Sequence, residues 1–317
     1  AIGSQALQAE DVGRGTTAIG YQALYSQNSD SNDEDTNNVG VGYHAGYYNV
    51  TGVACTFVGS RSGVGSSGND IGNFNTGFGS YALNAITTGV GNVGIGANAL
   101  MKANHADADY NVGIGYGAGS EILNGYYNIL IGYNAGTAIT ANSHKNVLIG
   151  SYAGENLNTQ SIENVFIGYE AGHGLVDYQS RSVVIGHHAG YSSSDDRGTW
   201  TNNVSIGYQA GMEGNCQYSI HIGPQAGEYN AGNGSVAIGD AALKGSSSSP
   251  IDTFDTVAIG AGAGNSATGD QCIYLGHNAG KSNTSNKMLF IGWDAPSSDE
   301  SIIKADMDNK HVAVGVA

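Results

Sequence analysis

The sequence predicts an all-β fold, a parallel β-roll: a two-sheet β-solenoid with about 16–18 residues per coil. Three observations predict it. The nine residues "NVFIGYEAG" (Asn164 to Gly172) recur with small changes as "NVLIGSYAG" and "SVVIGHHAG". The interval between repeat glycines never falls below 16 residues, and any excess lies between "AG" and the next "NV". Apolar residues also alternate at a spacing of two just before each repeat glycine, which is the period of a strand.

The repeat glycine occurs in 18 copies, from Gly3 to Gly315, at intervals of 16 to 23 residues. One fixed unit is therefore carried by loops of adjustable length. At roughly 3.3 Å per strand residue, its minimum length has room for two short strands and two turns, not for three strands. Coils stacking at about 4.8 Å would make a rod on the order of 80 Å long.

Each position of the unit has a physical reading. The residue before the glycine is Ile in 13 copies and otherwise Val, Phe or Leu. Two positions earlier stands a second apolar residue in most copies, such as Val165, Val183 and Val204. The two share one strand face, which is expected to be the core. Three residues after the glycine, Ala fills 16 of 17 copies and Ser62 the other, so this position has no room for a larger side chain. The next position is Gly or Leu apart from Pro296, and reads as a turn. Four before the glycine, Asn fills 8 of 17 copies, with Ser or Thr in five more, which predicts an internal polar ladder. Cys55 and Cys272 fall in that same position and read as its occupants rather than as reactive thiols.

The position between the two apolar strand residues is expected on the opposite face. It holds Ala18, Gly40, Phe57, Leu130, Phe166 and Phe290 among others, and only Ser205 and His221 are clearly polar. A strand apolar on both faces is buried on both faces. The sequence thus predicts an oligomer, with this second face packed against other copies.

Composition excludes several partners. Lys+Arg number 11 against Asp+Glu 27, a net charge of −16, which opposes nucleic acid and anionic membrane surfaces. The three cysteines show no metal-ligand spacing and no disulfide framework. Nothing approaches 18 consecutive apolar residues, so no membrane insertion is expected in this segment. Both ends fall inside the repeat, which reads as a piece of a longer chain.

"NVSIGYQAG", "SVAIGDAAL" and "TVAIGAGAG" carry a resemblance. They resemble the YadA-like head repeats of trimeric autotransporter adhesins, and are closest to the "AIGYQAG" variant found in bacteriophage tail-fibre proteins. The resemblance covers residues 1–295. It implies a left-handed roll, three identical chains around one axis, and the "VxIG" strand lining that axis. It further implies a non-catalytic structural rod of a homotrimeric surface fibre, either a virion tail fibre or an adhesin-type cell-surface appendage. Such a rod is extracellular and projects or carries a host- or surface-attachment function. The coils are longer than those of the adhesin head and carry "YxAG" after the glycine, so no adhesin ligand-binding residue carries over. Residues 296–317 leave the repeat as an exit hairpin, similar to the one that precedes a self-cleaving chaperone domain in some tail fibres. That hairpin would lead to a missing C-terminal region.

Candidate chemistry is sparse, and no catalytic residue or cofactor is assigned. A hexapeptide acyltransferase needs three hexads per coil, whereas only one fits here. A glycan depolymerase needs a pair of carboxylates facing one cleft, and no pair stands out. Asp30, Asp33, Glu34 and Asp35 make an oxygen-rich loop of the kind that suits Ca²⁺, but without EF-hand spacing; a solvated insertion is the competing reading. "HADADY" and "SSSDDRG" read likewise as solvated loops. His44, His187, His188 and His277 share two positions of the repeat, and read as surface histidines rather than metal ligands. Tyr116, Tyr133, Tyr169 and Tyr208 follow their glycines and form a ladder. Those rings either brace the turn or serve a receptor- or glycan-binding module by stacking on sugars or a partner protein.

Overall fold

The structure is a computed structural model. It describes residues 1–10, 13–28, 35–68, 70–104, 107–139, 142–157, 160–175, 179–193, 200–293 and 303–314. These contain strands, turns and bends, and no helix. The chain forms two compact units, Ala1–Glu163 and Asn164–Ala317.

Each unit is a parallel β-solenoid, as the repeat predicts. In the first, Thr17–Ile19 (β1), Val39–Val41 (β2), Thr56–Val58 (β3) and Thr76–Phe78 (β4) open the sheet. It continues through Val93–Ile95 (β5), Val112–Ile114 (β6), Ile129–Ile131 (β7) and Val147–Ile149 (β8). Neighbours pair in parallel with the repeat in register, so that Ile114 lies beside Ile131 and Ile131 beside Ile149. The second unit begins with Val165–Ile167 (β9), Val183–Ile185 (β10), Val204–Ile206 (β11) and Ile220–Ile222 (β12). Val236–Ile238 (β13), Val257–Ile259 (β14), Ile273–Leu275 (β15) and Met288–Ile291 (β16) follow. Ile303–Asp306 (β17) then pairs antiparallel to β16, and His311–Val314 (β18) antiparallel to β17.

The opposite flank of each coil is built mainly from stacked turns, with single-residue parallel bridges such as Arg14 to Asp35, Ser180 to Thr201 and Asn230 to Ile251. The backbone explains this. Three positions per coil adopt the left-handed conformation: one just before the strand, and those two and four residues after the repeat glycine. In one stretch these are Tyr127 (φ 56°), Asn134 (φ 51°) and Gly136 (φ 59°). Such kinks interrupt any long extended run, yet they aim the peptide groups along the stacking direction. Tyr127 N–H donates to Asp109 (3.0 Å), Asn134 N–H to Tyr116 (2.9 Å) and Gly136 N–H to Ala153 (3.0 Å), each in a neighbouring coil. These bonds offset the cost of non-glycine residues at positive φ.

The repeat glycine answers a harder constraint. Gly132 has φ +136°, and a Cβ there would lie 2.5 Å from the carbonyl oxygen of Gly150 in the next coil. No L side chain fits that backbone or that gap.

The structure reverses the expected facing of the strand. The middle residue points into the coil: Phe57, Leu130, Leu148, Phe166 and Val184 are fully buried by their own chain, and Phe290 is 3% exposed. The flanking Val and Ile pairs, expected to form the core, are on the outside. Both faces are apolar, so a period of two could not say which was inside. What decides it is volume. The interior also holds the alanine position, fully buried from Ala23 to Ala279, and the Gly-or-Leu position behind it. Where that position is Leu, the facing strand residue is small. A Cβ on Gly40 would lie 2.7 Å from Leu24 Cγ, and one on Gly113 2.8 Å from Leu100 Cγ. Where it is Gly, the facing strand residue is large in most coils, Ser205 beside Gly211 being an exception: a Cβ on Gly172 would meet the Phe166 ring at 2.3 Å, and one on Gly280 the Tyr274 ring at 2.0 Å. The large Val and Ile pairs have no matching space inside and are turned out.

The polar ladder is present. Asn75, Asn92, Asn111, Asn128 and Asn146 are fully buried. From Asn92 onward, the backbone N–H of each donates to the side-chain oxygen of the one before, at 2.9 Å for Asn92 to Asn75 and 3.0 Å for Asn111 to Asn92. In the second unit the row passes from Asn164 through Ser182, Asn203, Ser219, Ser235 and Thr256 to Cys272. Coil length varies without disturbing this stack. The coil from Gly239 to Gly260 is five residues above the minimum, and its added length includes a tight turn in which Ser246 and Ser249 pair with each other. Even so, β13 and β14 remain in register, Ala237 beside Ala258.

Candidate binding surfaces

The outward strand residues make the most extensive candidate surface. In the second unit one row runs Val165, Val183, Val204, Ile220, Val236, Val257, Ile273 and Leu289. The parallel row two residues on runs from Ile167 through Ile206 and Leu275 to Ile291, and every member of both rows is aliphatic. The first unit repeats the pattern, with Thr17, Thr56 and Thr76 as the only polar members. Stacking within the rows shields these side chains only in part: Ile95 is 39% exposed, Ile259 43% and Phe78 56%. Eight strands at about 4.8 Å make an apolar stripe some 35–40 Å long on each unit. A continuous stripe of this kind marks an interaction site rather than ordinary scattered surface hydrophobes.

The predicted tyrosine ladder is brought together in short rows. Tyr116 stacks on Tyr133 with centroids 5.4 Å apart, and Tyr133 meets Tyr152 edge-on. In the second unit Tyr169 stacks on His187 at 5.2 Å, and His187 on Tyr208 at 5.6 Å. Tyr116, Tyr133, Tyr169 and Tyr208 each keep about half their surface exposed. A further row runs from Tyr21 to Tyr43 and on to Arg61, whose guanidinium lies between the Tyr43 and Tyr81 rings. The rings therefore brace one coil against the next and still offer an outer edge.

Of the candidate metal ligands, Asp30, Asp33 and Glu34 lie outside the described residues. Asp35 is described, and its backbone bridges to Arg14. Among the described residues no group of three or more His, Cys, Asp or Glu is placed to hold a metal ion. His188 Nε2 pairs with Glu170 at 3.0 Å, and burial is the main cause lowering its pKa. His44 stacks on Tyr43 at 3.9 Å, and its pKa too is lowered, chiefly by burial.

Burial pushes the Cys55 thiol up to about 11 and the Cys216 thiol up to about 12, far from the thiolate that reacts or binds metal. His221, fully buried within the coil, is held down to about 4 by desolvation.

One further feature is not evident from the repeat alone. A cleft of about 190 Å³ in the first unit is lined by Asp107, Asp109, Tyr110, Asn124, Tyr126, Tyr127 and Asn142. "HADADY" alone reads as a solvated loop. The signal lay in the next coil, where Tyr127 stacks on Tyr110 and Tyr126 stands edge-on to Tyr127. Compared with protein-family models, with curated proteins and with solved structures, the chain matches none.

Proposed function

We propose that this chain is a structural, non-catalytic segment of a homotrimeric surface fibre, which holds an attachment function away from the body that bears it. The observation that supports it best is the outward aliphatic double row on each unit. Such a face is costly to leave in water, and its only regular feature is the coil repeat. A partner that matches it over many coils needs the same repeat, and identical chains supply one. The face open to other copies thus consists of Ile and Val at the outer positions, not of Leu130 and Phe166 as the sequence suggested. The number three, the left-handed winding, the extracellular setting and the preference for a phage tail fibre over an adhesin head come from the resemblance of the repeats. Stacked backbone bonding in every coil suits a part that must resist pulling and proteolysis.

Mass measurement of the native assembly tests this reading. Three copies are expected, and a soluble monomer overturns it. Release of reducing sugar ends or acyl transfer by the purified protein would overturn the non-catalytic reading.

A further inference from the structure

We infer that the cleft between the coils carrying Tyr110 and Tyr127 binds a single neutral sugar residue of a longer glycan. The walls are aromatic and held at fixed angles. Tyr110 and Tyr127 stack in parallel, centroids 5.3 Å apart and planes 7° apart. Tyr126 stands at 78° to Tyr127 and is itself stacked on His144 at 4.5 Å. Tyr110 and Tyr127 remain 50% and 53% exposed. Rings already braced by neighbours lose little freedom on binding, which favours contact with the C–H face of a pyranose.

The polar lining suits hydroxyl groups. Asn124 and Asn142 exchange hydrogen bonds across adjacent coils: Asn124 Nδ2 donates to Asn142 Oδ1 (3.1 Å), and Asn142 N–H donates to Asn124 Oδ1 (2.9 Å). Asp109 is anchored by Val90 N–H, which donates to its Oδ1 at 2.7 Å. Planar amide and carboxylate groups offer paired donors and acceptors to vicinal hydroxyls. Asp107 and Asp109, in a chain of net charge −16, disfavour acidic sugars. At about 190 Å³ the cleft is smaller than the roughly 300–1,000 Å³ of sites for drug-sized ligands, so one residue of a chain enters and the rest lies outside.

This inference does not rest on the trimer, whose failure would show in the native mass alone. The test uses the full chain and saturation-transfer NMR with neutral oligosaccharides of glucose, galactose and N-acetylglucosamine, followed by titration calorimetry. Tyr127→Ala is the diagnostic variant. Ala54 holds the equivalent position at φ 55°, close to the 56° of Tyr127, so alanine fits that backbone. Binding of at least one neutral oligosaccharide is expected, weakened about tenfold or more by Tyr127→Ala and kept in Tyr127→Phe. Absence of binding across the panel overturns the proposal, as does undiminished binding in Tyr127→Ala. Preference for sialylated or uronic oligosaccharides, or for tetramethylammonium, which such rings could also hold, overturns it equally.

Discussion

Exchanging volume between Leu24 and Gly40 gives the most direct check on how the coil interior is filled. Leu24 is fully buried, and shortening it to Ala removes packed carbon that no neighbour replaces. Buried Leu→Ala changes cost about 2–5 kcal/mol. Gly40→Ala acts in the other direction. Its new Cβ would sit 2.7 Å from Leu24 Cγ, about an ångström inside ordinary carbon contact, and overpacking of this kind costs about 1–3 kcal/mol. Gly40 lies in β2 at an ordinary extended φ, so the backbone itself tolerates alanine. In the double variant the clashing Cγ is gone and the added methyl fills part of the void. The double change should therefore cost about 1–3 kcal/mol less than the two single changes summed. Denaturant unfolding of the four proteins, at one fixed chain concentration, measures this coupling. Additive effects, or a neutral Gly40→Ala, would refute the view that the Leu position and the strand's middle position share one space.

Three further outcomes follow from the same structure. Asn111→Ala removes the acceptor for Asn128 N–H (3.1 Å) and the donor to Gly125 C=O (2.7 Å), both buried, and should cost about 3 kcal/mol in denaturant unfolding; Asn111→Ser should cost less, since Ser182 and Ser219 already serve the ladder. His221 is held at about 4 when folded and returns toward an ordinary value near 6.5 when unfolded, so the unfolded chain binds the proton first. Its contribution, about 3 kcal/mol, is complete above pH 6.5 and is lost as pH falls toward 4; thermal melts of His221→Phe should show a correspondingly flatter acid limb. Ile185→Lys with Ile206→Lys places two charges on the outward row, and native mass should fall toward the monomer while circular dichroism keeps the strand signal.

Much of this architecture is legible in the amino-acid sequence alone. The glycine spacing gave the coil, Ala23 to Ala279 marked a place without room, and the run from Asn75 to Asn146 announced a stacked polar row. The facing of the strand could not be read from alternation, because Ile131 and Leu130 are equally apolar. It was present only as a correlation between separate positions, Leu100 against Gly113 and Gly136 against Leu148, which demands knowing that neighbouring coils touch. The left-handed corners were hidden for a different reason. Tyr127, Lys145 and Glu163 share one backbone conformation imposed by bonds to adjacent coils, and their side chains have nothing in common. The cleft at Tyr110 and Tyr127 was obscure because its walls come from separate coils, which meet only once the stack exists.

The serine turn at Ser246 to Ser249 bears on how such a chain can change. Because added residues bulge sideways while Ala237 and Ala258 stay level, a coil's contour length is independent of its rise. Foreign peptides placed at that bend should therefore be displayed laterally without altering the pitch of what lies above or below. New recognition loops could then arise by simple insertion, one storey at a time, on a frame that need not be redesigned to carry them.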